Sequence, residues 1–178
     1  MSVLKVCLLL GTVVYDIEDI NHMTEIVTIY TDGACSNNGA SNAKGGWAAV
    51  IIKQKEELHI SGGISDTTSS RMELQAAIEG LKAVGDSHTQ VRLFTDSKYL
   101  CNGCMDWLEG WKARGWKRSN GGALLNSDLW QEIDRLLAKH TVVVEWVKAH
   151  NGDERNELAD LLASRAIEQP EKLTSVAK

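Results

Sequence analysis

Apolar, β-branched runs alternate with short polar turns in the first third of the chain, a pattern typical of consecutive strands. Residues 25–31, 46–52 and 56–64 each form such a run, and a polar turn at 53–55 separates the last two. Because these connections are short, we predict three strands paired as an antiparallel meander.

The spacing of the apolar residues then changes to the helical period. Helical runs at 74–84, 129–137 and 158–166 alternate with strand-like runs at 91–95 and 141–147. Strands separated by helices are joined by crossover connections. The pattern therefore predicts an α/β fold: a five-stranded mixed β-sheet, an antiparallel meander followed by crossover strands, flanked by α-helices.

The composition is that of one globular domain in a reducing compartment. The chain has 178 residues, 43% of them hydrophobic, which is enough for one core. Its formal net charge is -5, so a polyanion would have to be held by a local basic patch. The four cysteines lack the regular spacing of a disulfide scaffold. We predict a cytoplasmic protein.

The N-terminal residues only loosely imitate a signal peptide. The apolar run at 6–10 is followed by no small-residue cleavage site, and it is far shorter than the ~20 residues of a membrane span. We predict no membrane association. The expected segments are an N-terminal extension at 1–22 without assigned function, a globular domain at 23–170 and a C-terminal tail at 171–178.

Four acids lie at the ends of predicted elements or in their first turns. Each has an ordinary structural explanation: a turn at Asp32, a capping box that ends at Glu73, a helix cap at Asp96-Ser97 and a solvated helix face at Asp160.

The same acids have a second explanation when they are taken together. If the first and fourth strands are central neighbours, Asp32 and Asp96 emerge side by side, and Glu73 approaches from the helix. Clustered carboxylates raise one another's pKa unless cations lie between them, and their hard oxygens suit Mg²⁺ or Mn²⁺. Two such ions roughly 4 Å apart promote phosphodiester hydrolysis. The cluster therefore predicts a hydrolytic nuclease.

Six motifs in the same order carry a resemblance to a known family. They are YTDGACSNNG, GGWAAVI, TTSSRMELQAAIEGL, LFTDSKYL, GWKARGWK and EWVKAHNGDERNELADLLA, which together span nearly all of residues 25–168. The sequence resembles the bacterial type 1 ribonucleases H, which cut the RNA strand of RNA–DNA hybrids. The resemblance implies the ribonuclease H-like fold and places a ribonuclease H domain at 23–170.

The resemblance also implies the catalytic residues. The family's metal-binding acids fall on Asp32, Glu73, Asp96 and Asp160, and its catalytic histidine falls on His150. The implied cofactor is Mg²⁺, two ions per active site, for which Mn²⁺ can substitute. The implied products carry a 5′-phosphate and a 3′-hydroxyl. The implied partner is an RNA–DNA hybrid, and the implied state is a monomer.

Substrate contacts follow from the same resemblance. Those near the catalytic residues fall on Gly33, Ala34, Cys35, Asn38, Thr68, Ser69, Arg71, Met72, Gln75, Ser97 and Asn156. Those of the family's basic protrusion, which grips the DNA strand, fall on Trp107, Trp111, Lys112, Arg114, Trp116 and Lys117. We call residues 107–118 the basic segment.

The basic segment also has a physical reading of its own. Its four cations against one acid, Glu109, give a local charge of 4 − 1 = +3, which can hold phosphates. Trp107 and Trp111 are four residues apart and can instead pack on the core as a helical pair. Trp116 stands among cations, where aromatic faces can meet nucleotides.

The sequence departs from the family pattern at three places. The loop at 37–44 is longer than usual, and Ser69 and Ser70 stand where asparagines are commoner. Cys101 and Cys104 form a CxxC pair, which has no second pair or nearby histidine to complete a zinc set. We read them as two ordinary thiols.

Other functions remain as alternatives. Transposases, integrases and some exonucleases share the architecture, but the basic segment and the VKAH loop at 147–150 argue against them. A catalytically silent hybrid-binding module is expected to lose an acid, and none is lost. A redox protein built on the CxxC pair leaves the acids unexplained.

Overall fold

An opening meander is followed by alternating helices and strands. The computed structural model describes residues 26–85, 88–169 and 172–177. The strands are β1 (Ile26–Ser36), β2 (Lys44–Lys53), β3 (Glu56–Ser65), β4 (Gln90–Thr95), β5 (Thr141–Trp146) and β6 (Leu173–Ala177). The helices are α1 (Ser69–Ala83), α2 (Lys98–Asn102), α3 (Leu108–Ala113), α4 (Ser127–Lys139) and α5 (Glu154–Ala166), and a π-helical turn (Gly103–Trp107) joins α2 to α3.

The strands form one mixed sheet in the order β5-β4-β1-β2-β3-β6. The predicted meander is confirmed, because β2 pairs antiparallel with both β1 and β3. The predicted crossovers are confirmed too, since β4 is parallel to β1 and β5 is parallel to β4. The sheet therefore places β1 and β4 side by side at its centre.

The sheet has six strands rather than the predicted five. The additional strand, β6, pairs antiparallel with β3 and comes from the predicted C-terminal tail. The Nζ atom of Lys172 lies 2.6 Å from a carboxylate oxygen of Glu79 and 5.6 Å from the ring centroid of Trp47, so it anchors the returning chain. Every residue of β6 is exposed, so no alternation of buried and exposed positions marks it in the sequence.

Helices α1 and α5 cover opposite faces of the sheet. Gly80 of α1 lies against Ala49, whereas a side chain at Gly46 would overlap the main chain of Ala163 in α5. Successive residues of a strand point to opposite faces, so these two positions of β2 place the helices on either side. The core therefore lies in two layers around β1 and β2.

Four aromatic rings join α2, α3 and α4. Trp130 is fully buried and donates its indole N–H to the hydroxyl of Tyr99 over 2.9 Å. The ring centroid of Trp111 lies 5.1 Å from that of Trp130 and 5.6 Å from that of Trp107. The packing expected for the pair of tryptophans is therefore present, and it fixes the basic segment to the core.

The extension predicted at 1–22 lies outside the described residues. Within the part of the chain that is described, no helix combines the length and the apolar character needed to cross a membrane.

Candidate active site at the edge of the sheet

Two of the predicted acids lie side by side because of the strand register. Thr31 of β1 pairs with Thr95 of β4 in the parallel ladder, so Asp32 and Asp96 come next on neighbouring strands. Asp32 is 7% exposed, while Asp96 is half-buried. Strand β1 continues to Ser36, so the explanation of Asp32 as a turn residue is wrong. We call the end of β4, together with the neighbouring part of β1 at Asp32, the catalytic edge.

Glu73 reaches the catalytic edge from α1. The predicted capping box at Ser70 and Glu73 is wrong, because the helix begins earlier and Thr68 is its N-cap, accepting from the amide of Arg71 over 3.3 Å. Glu73 is thus inside the helix and free to point at the sheet. Gly33 permits the approach, since a Cβ there would overlap the main chain of Met72 and Glu73. The absence of a side chain at Gly33, which the resemblance gave as a substrate contact, thus serves helix packing.

The carboxylates converge as the acid cluster predicts. One oxygen each from Asp32, Glu73 and Asp96 lie within 4.8 Å of one another. Asp160 of α5 approaches from the opposite face of the sheet and comes within hydrogen-bonding reach of Asp32. Four acids, carried by two strands and two helices on two faces, therefore meet at one edge.

Burial and mutual repulsion shift the acidity of the inner pair. Desolvation, followed by the charge of Asp96, raises the pKa of Asp32 from 3.8 to about 7, and the amide of Gly33 opposes the shift. The pKa of Glu73 is raised well above its usual value by burial first and then by Asp32 and Asp96. The cluster therefore holds protons near neutral pH unless a cation compensates its charge.

The residues fit a divalent cation. Oε2 of Glu73 is buried and has no hydrogen-bond partner among the described residues, although buried carboxylate oxygens normally have one. An all-oxygen set of closely spaced carboxylates is the donor chemistry that Mg²⁺ and Mn²⁺ prefer. A cation bound there would give the unpaired oxygen of Glu73 a partner, and its charge would offset the repulsion that raises the pKa values.

Asp96 is held by two residues from distant parts of the chain. The side-chain amide of Asn156 donates to its Oδ2 over 3.2 Å, and the indole N–H of Trp146 donates to its main-chain oxygen over 3.0 Å. Asn156 is only 2% exposed, so it supports Asp96 from inside the protein and does not present its amide to a substrate. Sequence reasoning missed Trp146. The available signal was its place at the end of a strand that lies beside Asp96.

His150 lies in the exposed loop between β5 and α5. Its side chain is 77% exposed, and its Nδ1 is 3.8 Å from Oδ2 of Asp160. The residue has a left-handed backbone with φ of 50°, and Gly152 follows with φ of 81°. The loop thus carries an accessible imidazole beside the acids.

Comparisons with known proteins identify this arrangement. The sequence pattern of the RNase H family matches residues 24–168. The chain belongs to the RNase H family. A ribonuclease H from Polynucleobacter asymbioticus is 48% identical over 80% of this chain and 90% of its own length. The predicted enzyme class, ribonuclease H, is confirmed by this membership, and the family is metal-dependent.

Solved structures agree with the RNase H assignment. LC9-RNase H1, described as a type 1 RNase H with the type 2 active-site motif, superposes with a TM-score of 0.78 at 30% identity, covering 87% of this chain and 78% of its own. LC11-RNase H1 in complex with an RNA/DNA hybrid superposes with a TM-score of 0.58 at 20% identity, covering 80% of this chain and 96% of its own. At this identity the likeness shows the fold alone. The predicted ribonuclease H-like fold is confirmed.

The turn after Asp32 and the start of α1 form one surface of this RNase H. Oδ1 of Asn38 accepts from the amide of Ser69 over 3.2 Å, which ties the two segments together. Ala34 and Cys35 are half-buried beside them. Met72 is different, since its side chain is 1% exposed and packs in the core.

Two further predicted contacts are engaged within the protein. The amide of Gln75 donates to Glu79 over 3.2 Å. Ser97 is 8% exposed, and its hydroxyl accepts from the amide of Leu100 over 3.3 Å, so it caps α2. The helix-cap explanation is therefore correct for Ser97.

Arg71 of this RNase H is held by residues that sequence reasoning did not connect to it. Its guanidinium donates to both carboxylate oxygens of Asp128, over 2.6 and 3.1 Å, and to Oδ1 of Asn126 over 3.3 Å. This pairing lowers the pKa of Asp128. Asn126 starts α4 with φ of 56° and no side-chain cap bond, so its amide is available for this bridge.

The basic segment carries less unpaired charge than the sequence suggested. Nζ of Lys112 lies 2.9 Å from Asp134 and 3.1 Å from Glu109, so acids already compensate it. Arg114 and Lys117 are exposed, and Trp116 is half-buried with φ of 62°. The segment runs from the end of the π-helical turn through α3 into the loop after it, outside the acid cluster.

The CxxC pair does not form a disulfide. Cys101 and Cys104 are both free, as the reading of ordinary thiols expected. Burial raises the pKa of Cys104 to about 12, so its thiol stays protonated at neutral pH.

Proposed function

We propose that this chain is a metal-dependent endonuclease that hydrolyses the RNA strand of RNA–DNA hybrids and leaves 5′-phosphate and 3′-hydroxyl ends. The observation that carries the proposal is the meeting of Asp32, Glu73 and Asp96 within 4.8 Å at an open sheet edge, in a chain of the RNase H family. The complex of LC11-RNase H1 with an RNA/DNA hybrid supports the substrate by likeness of fold.

The acids are proposed to hold the cofactor. Asp32, Glu73, Asp96 and Asp160 would bind two Mg²⁺ ions, for which Mn²⁺ can substitute. Ions of this kind, when bound, lower the pKa of water and stabilise negative charge on a phosphate. The raised pKa of Asp32 and the orphaned oxygen of Glu73 support this assignment, because both are costly in a folded protein without a function.

His150 is proposed to handle protons or to assist product release. An imidazole ring can both accept and donate a proton, which suits transfer to or from a reacting oxygen. Its exposure and its position 3.8 Å from Asp160 support this role, because the ring can reach both the acids and the solvent.

The substrate-binding residues are proposed in two groups. The group near the acids would read the hybrid at the turn after Asp32 and the start of α1, through Gly33, Ala34, Cys35, Asn38, Thr68, Ser69, Arg71, Met72, Gln75, Ser97 and Asn156. The buried side chains of Met72 and Asn156 restrict them to main-chain and supporting roles. The basic segment would hold the DNA strand through Trp107, Trp111, Lys112, Arg114, Trp116 and Lys117.

The biological setting is likewise a proposal. We propose a monomeric cytoplasmic enzyme whose ribonuclease H domain comprises residues 23–170. Strand β6 extends the packed structure into the segment predicted as a tail, since 173–177 join the sheet.

The proposal is tested by cleavage of a hybrid labelled on its RNA strand, in Mg²⁺ or in EDTA, beside single-stranded RNA and duplex DNA. Asp32→Asn is compared with the matched control Glu56→Gln, an exposed acid in the strand end opposite the catalytic edge. Metal-dependent cutting of only the hybrid's RNA, lost in Asp32→Asn and kept in the control, supports the function. Binding without cutting in both Mg²⁺ and Mn²⁺ would instead identify a silent hybrid-binding module.

A further inference from the structure

Trp146 is an exposed aromatic residue at the catalytic edge that the proposed function does not use. It ends β5 and pairs in register with Thr95, the residue before Asp96. Its side chain is 45% exposed, although large aromatic side chains are usually buried. It therefore stands beside the acid cluster with nearly half of its surface open to solvent.

Two contacts connect Trp146 with the segment that follows β4. Its indole N–H donates to the main-chain oxygen of Asp96 over 3.0 Å. The ammonium of Lys98 lies 5.2 Å from its ring centroid, within the range of a cation–π interaction. One side chain thus restrains both the main chain of a cluster acid and a nearby cation.

Neither residue is placed where it best stabilises the fold. Trp146 is on an edge strand with much of its apolar surface in water. Lys98 is exposed and is the first residue of α2, where the partial positive charge of a helix start disfavours a cation. A cation held there gains most from a negative group that approaches from solvent.

We propose that Trp146 is a positioning residue for hybrid cleavage, which fixes the main chain of Asp96 and holds the Lys98 ammonium to receive a backbone phosphate of the hybrid next to the acid cluster. The proposal rests on the proposed function, because Asp96 is taken as a metal-binding acid.

The geometry explains why two supports are needed at Asp96. Asn156 restrains one carboxylate oxygen from below, over 3.2 Å, while Trp146 restrains the carbonyl of the same residue. A carboxylate binds a metal more tightly when both its side chain and its backbone are already held, because little free energy is then lost in orienting the ligand. Lys98 supplies a positive charge close to acids that otherwise repel a phosphate.

Two substitutions separate the two contacts. Trp146→Phe removes the N–H donor and keeps a ring face under Lys98, while Lys98→Met removes the charge and keeps the aliphatic stem. Lys55→Met is the matched control, an exposed lysine in the turn between β2 and β3, at the strand ends opposite the catalytic edge.

Mn²⁺ binding without substrate, followed by electron paramagnetic resonance, tests the first contact. Loss of one hydrogen bond predicts a Kd for Mn²⁺ that is about 2–10-fold weaker in Trp146→Phe, with the KM for the hybrid nearly unchanged. A purely structural role for Trp146 would instead lower the Tm and leave the Kd of the folded protein at the wild-type value. That result would overturn the positioning of Asp96.

Hybrid binding in EDTA, measured by fluorescence anisotropy over a range of salt, tests the second contact. Removal of one phosphate contact predicts weaker binding by Lys98→Met and a salt slope smaller by about 0.7–0.9. A salt slope equal to those of the wild type and Lys55→Met would overturn the phosphate contact.

Failure of the proposed function would look different. A wild-type protein that does not cut the hybrid at all would overturn the nuclease proposal. The Mn²⁺ and anisotropy measurements would still decide whether Trp146 and Lys98 act as described, because neither depends on cleavage.

Discussion

The buried amide of Asn156 donates to the carboxylate of Asp96 over 3.2 Å, and this bond joins α5 to the end of β4. The side-chain oxygen of Asn156, Oδ1, is buried without a partner among the described residues, so the side chain is held through its Nδ2 donor rather than its acceptor. The position of the Asp96 carboxylate thus depends on a residue that is itself out of reach of a substrate.

Asn156→Ala is expected to reduce activity more than stability explains. Asp96 loses its donor, so we expect kcat to fall about 10-fold and the Mg²⁺ concentration for half-maximal activity to rise. Steady-state kinetics at several Mg²⁺ concentrations measure both changes. Asn102→Ala, an exposed asparagine in α2, serves as the control. Equal kinetics of the two folded variants would contradict a supporting role.

Gly33→Ala is expected to disturb the fold and the site together. The new Cβ would overlap the main chain of Glu73, which cannot move aside as a flexible side chain can. We expect a loss of about 1–3 kcal/mol in the free energy of unfolding and a large loss of activity as α1 shifts. Urea unfolding and hybrid cleavage measure these. At Gly110 an added Cβ would meet only the flexible Arg114 guanidinium, so Gly110→Ala should remain near wild type.

The stability of the metal-free protein is expected to fall as the pH rises through the titration of Asp32. The folded state binds this proton more tightly than the unfolded state, because burial and Asp96 raise the pKa from 3.8 to about 7. The resulting stabilisation is complete below 3.8 and is lost as the pH rises through about 7. Between pH 5 and 8 we expect wild type to lose about 2 kcal/mol relative to Asp32→Asn.

Thermal unfolding of both proteins in EDTA across this pH range measures the difference. His140, whose pKa is lowered by burial, is common to both proteins and cancels in the comparison. Parallel pH profiles would show that the aspartate is not strained by its neighbours. Saturating Mg²⁺ should remove the difference if a cation compensates the cluster.

The thiols are expected to react with iodoacetamide in order of their burial. Cys35 is half-buried in the turn after Asp32, whereas the pKa of Cys104 is raised to about 12 by burial. We expect Cys35 to be modified first and the modified protein to show a higher KM for the hybrid. Peptide mass mapping gives the order, with Cys7 replaced by serine in every sample. An alkylated Cys35 protein that cuts hybrids normally would remove this turn from the substrate surface.

Truncation after Gln169 is expected to lower stability slightly without affecting catalysis. The cut removes β6 and the contact between Lys172 and Glu79, both on the far side of the sheet from β4. We expect a cost of about 1 kcal/mol, which for a domain of this size is a fall in Tm of about 2–4 °C. Differential scanning calorimetry and a cleavage assay measure the two effects. A large loss of kcat would show that the sixth strand affects the site.

The sequence by itself was enough to predict five of the strands, the main helices and the acids of the cluster. Val27, Ile29 and their neighbours alternate with a strand period, and the apolar residues of α1 recur with a helical period, because burial on one face imposes these patterns locally. The acids were recognisable because six ordered motifs surround them. Even so, the capping box predicted at Glu73 was wrong. The local pattern Ser-x-x-Glu is typical of a helix start, but it can equally lie inside a helix that begins earlier, as it does here.

Only the tertiary structure decided which neighbours each functional group has. Asn156 supports Asp96 from 60 positions away, Trp146 from 50, and Arg71 meets Asp128 across 57. The compensation of Lys112 by Asp134 and the pairing of β6 with β3 are of the same kind. Such contacts depend on how helices and strands pack against one another. Residues that packing brings together from distant parts of the chain share no periodic pattern in the sequence.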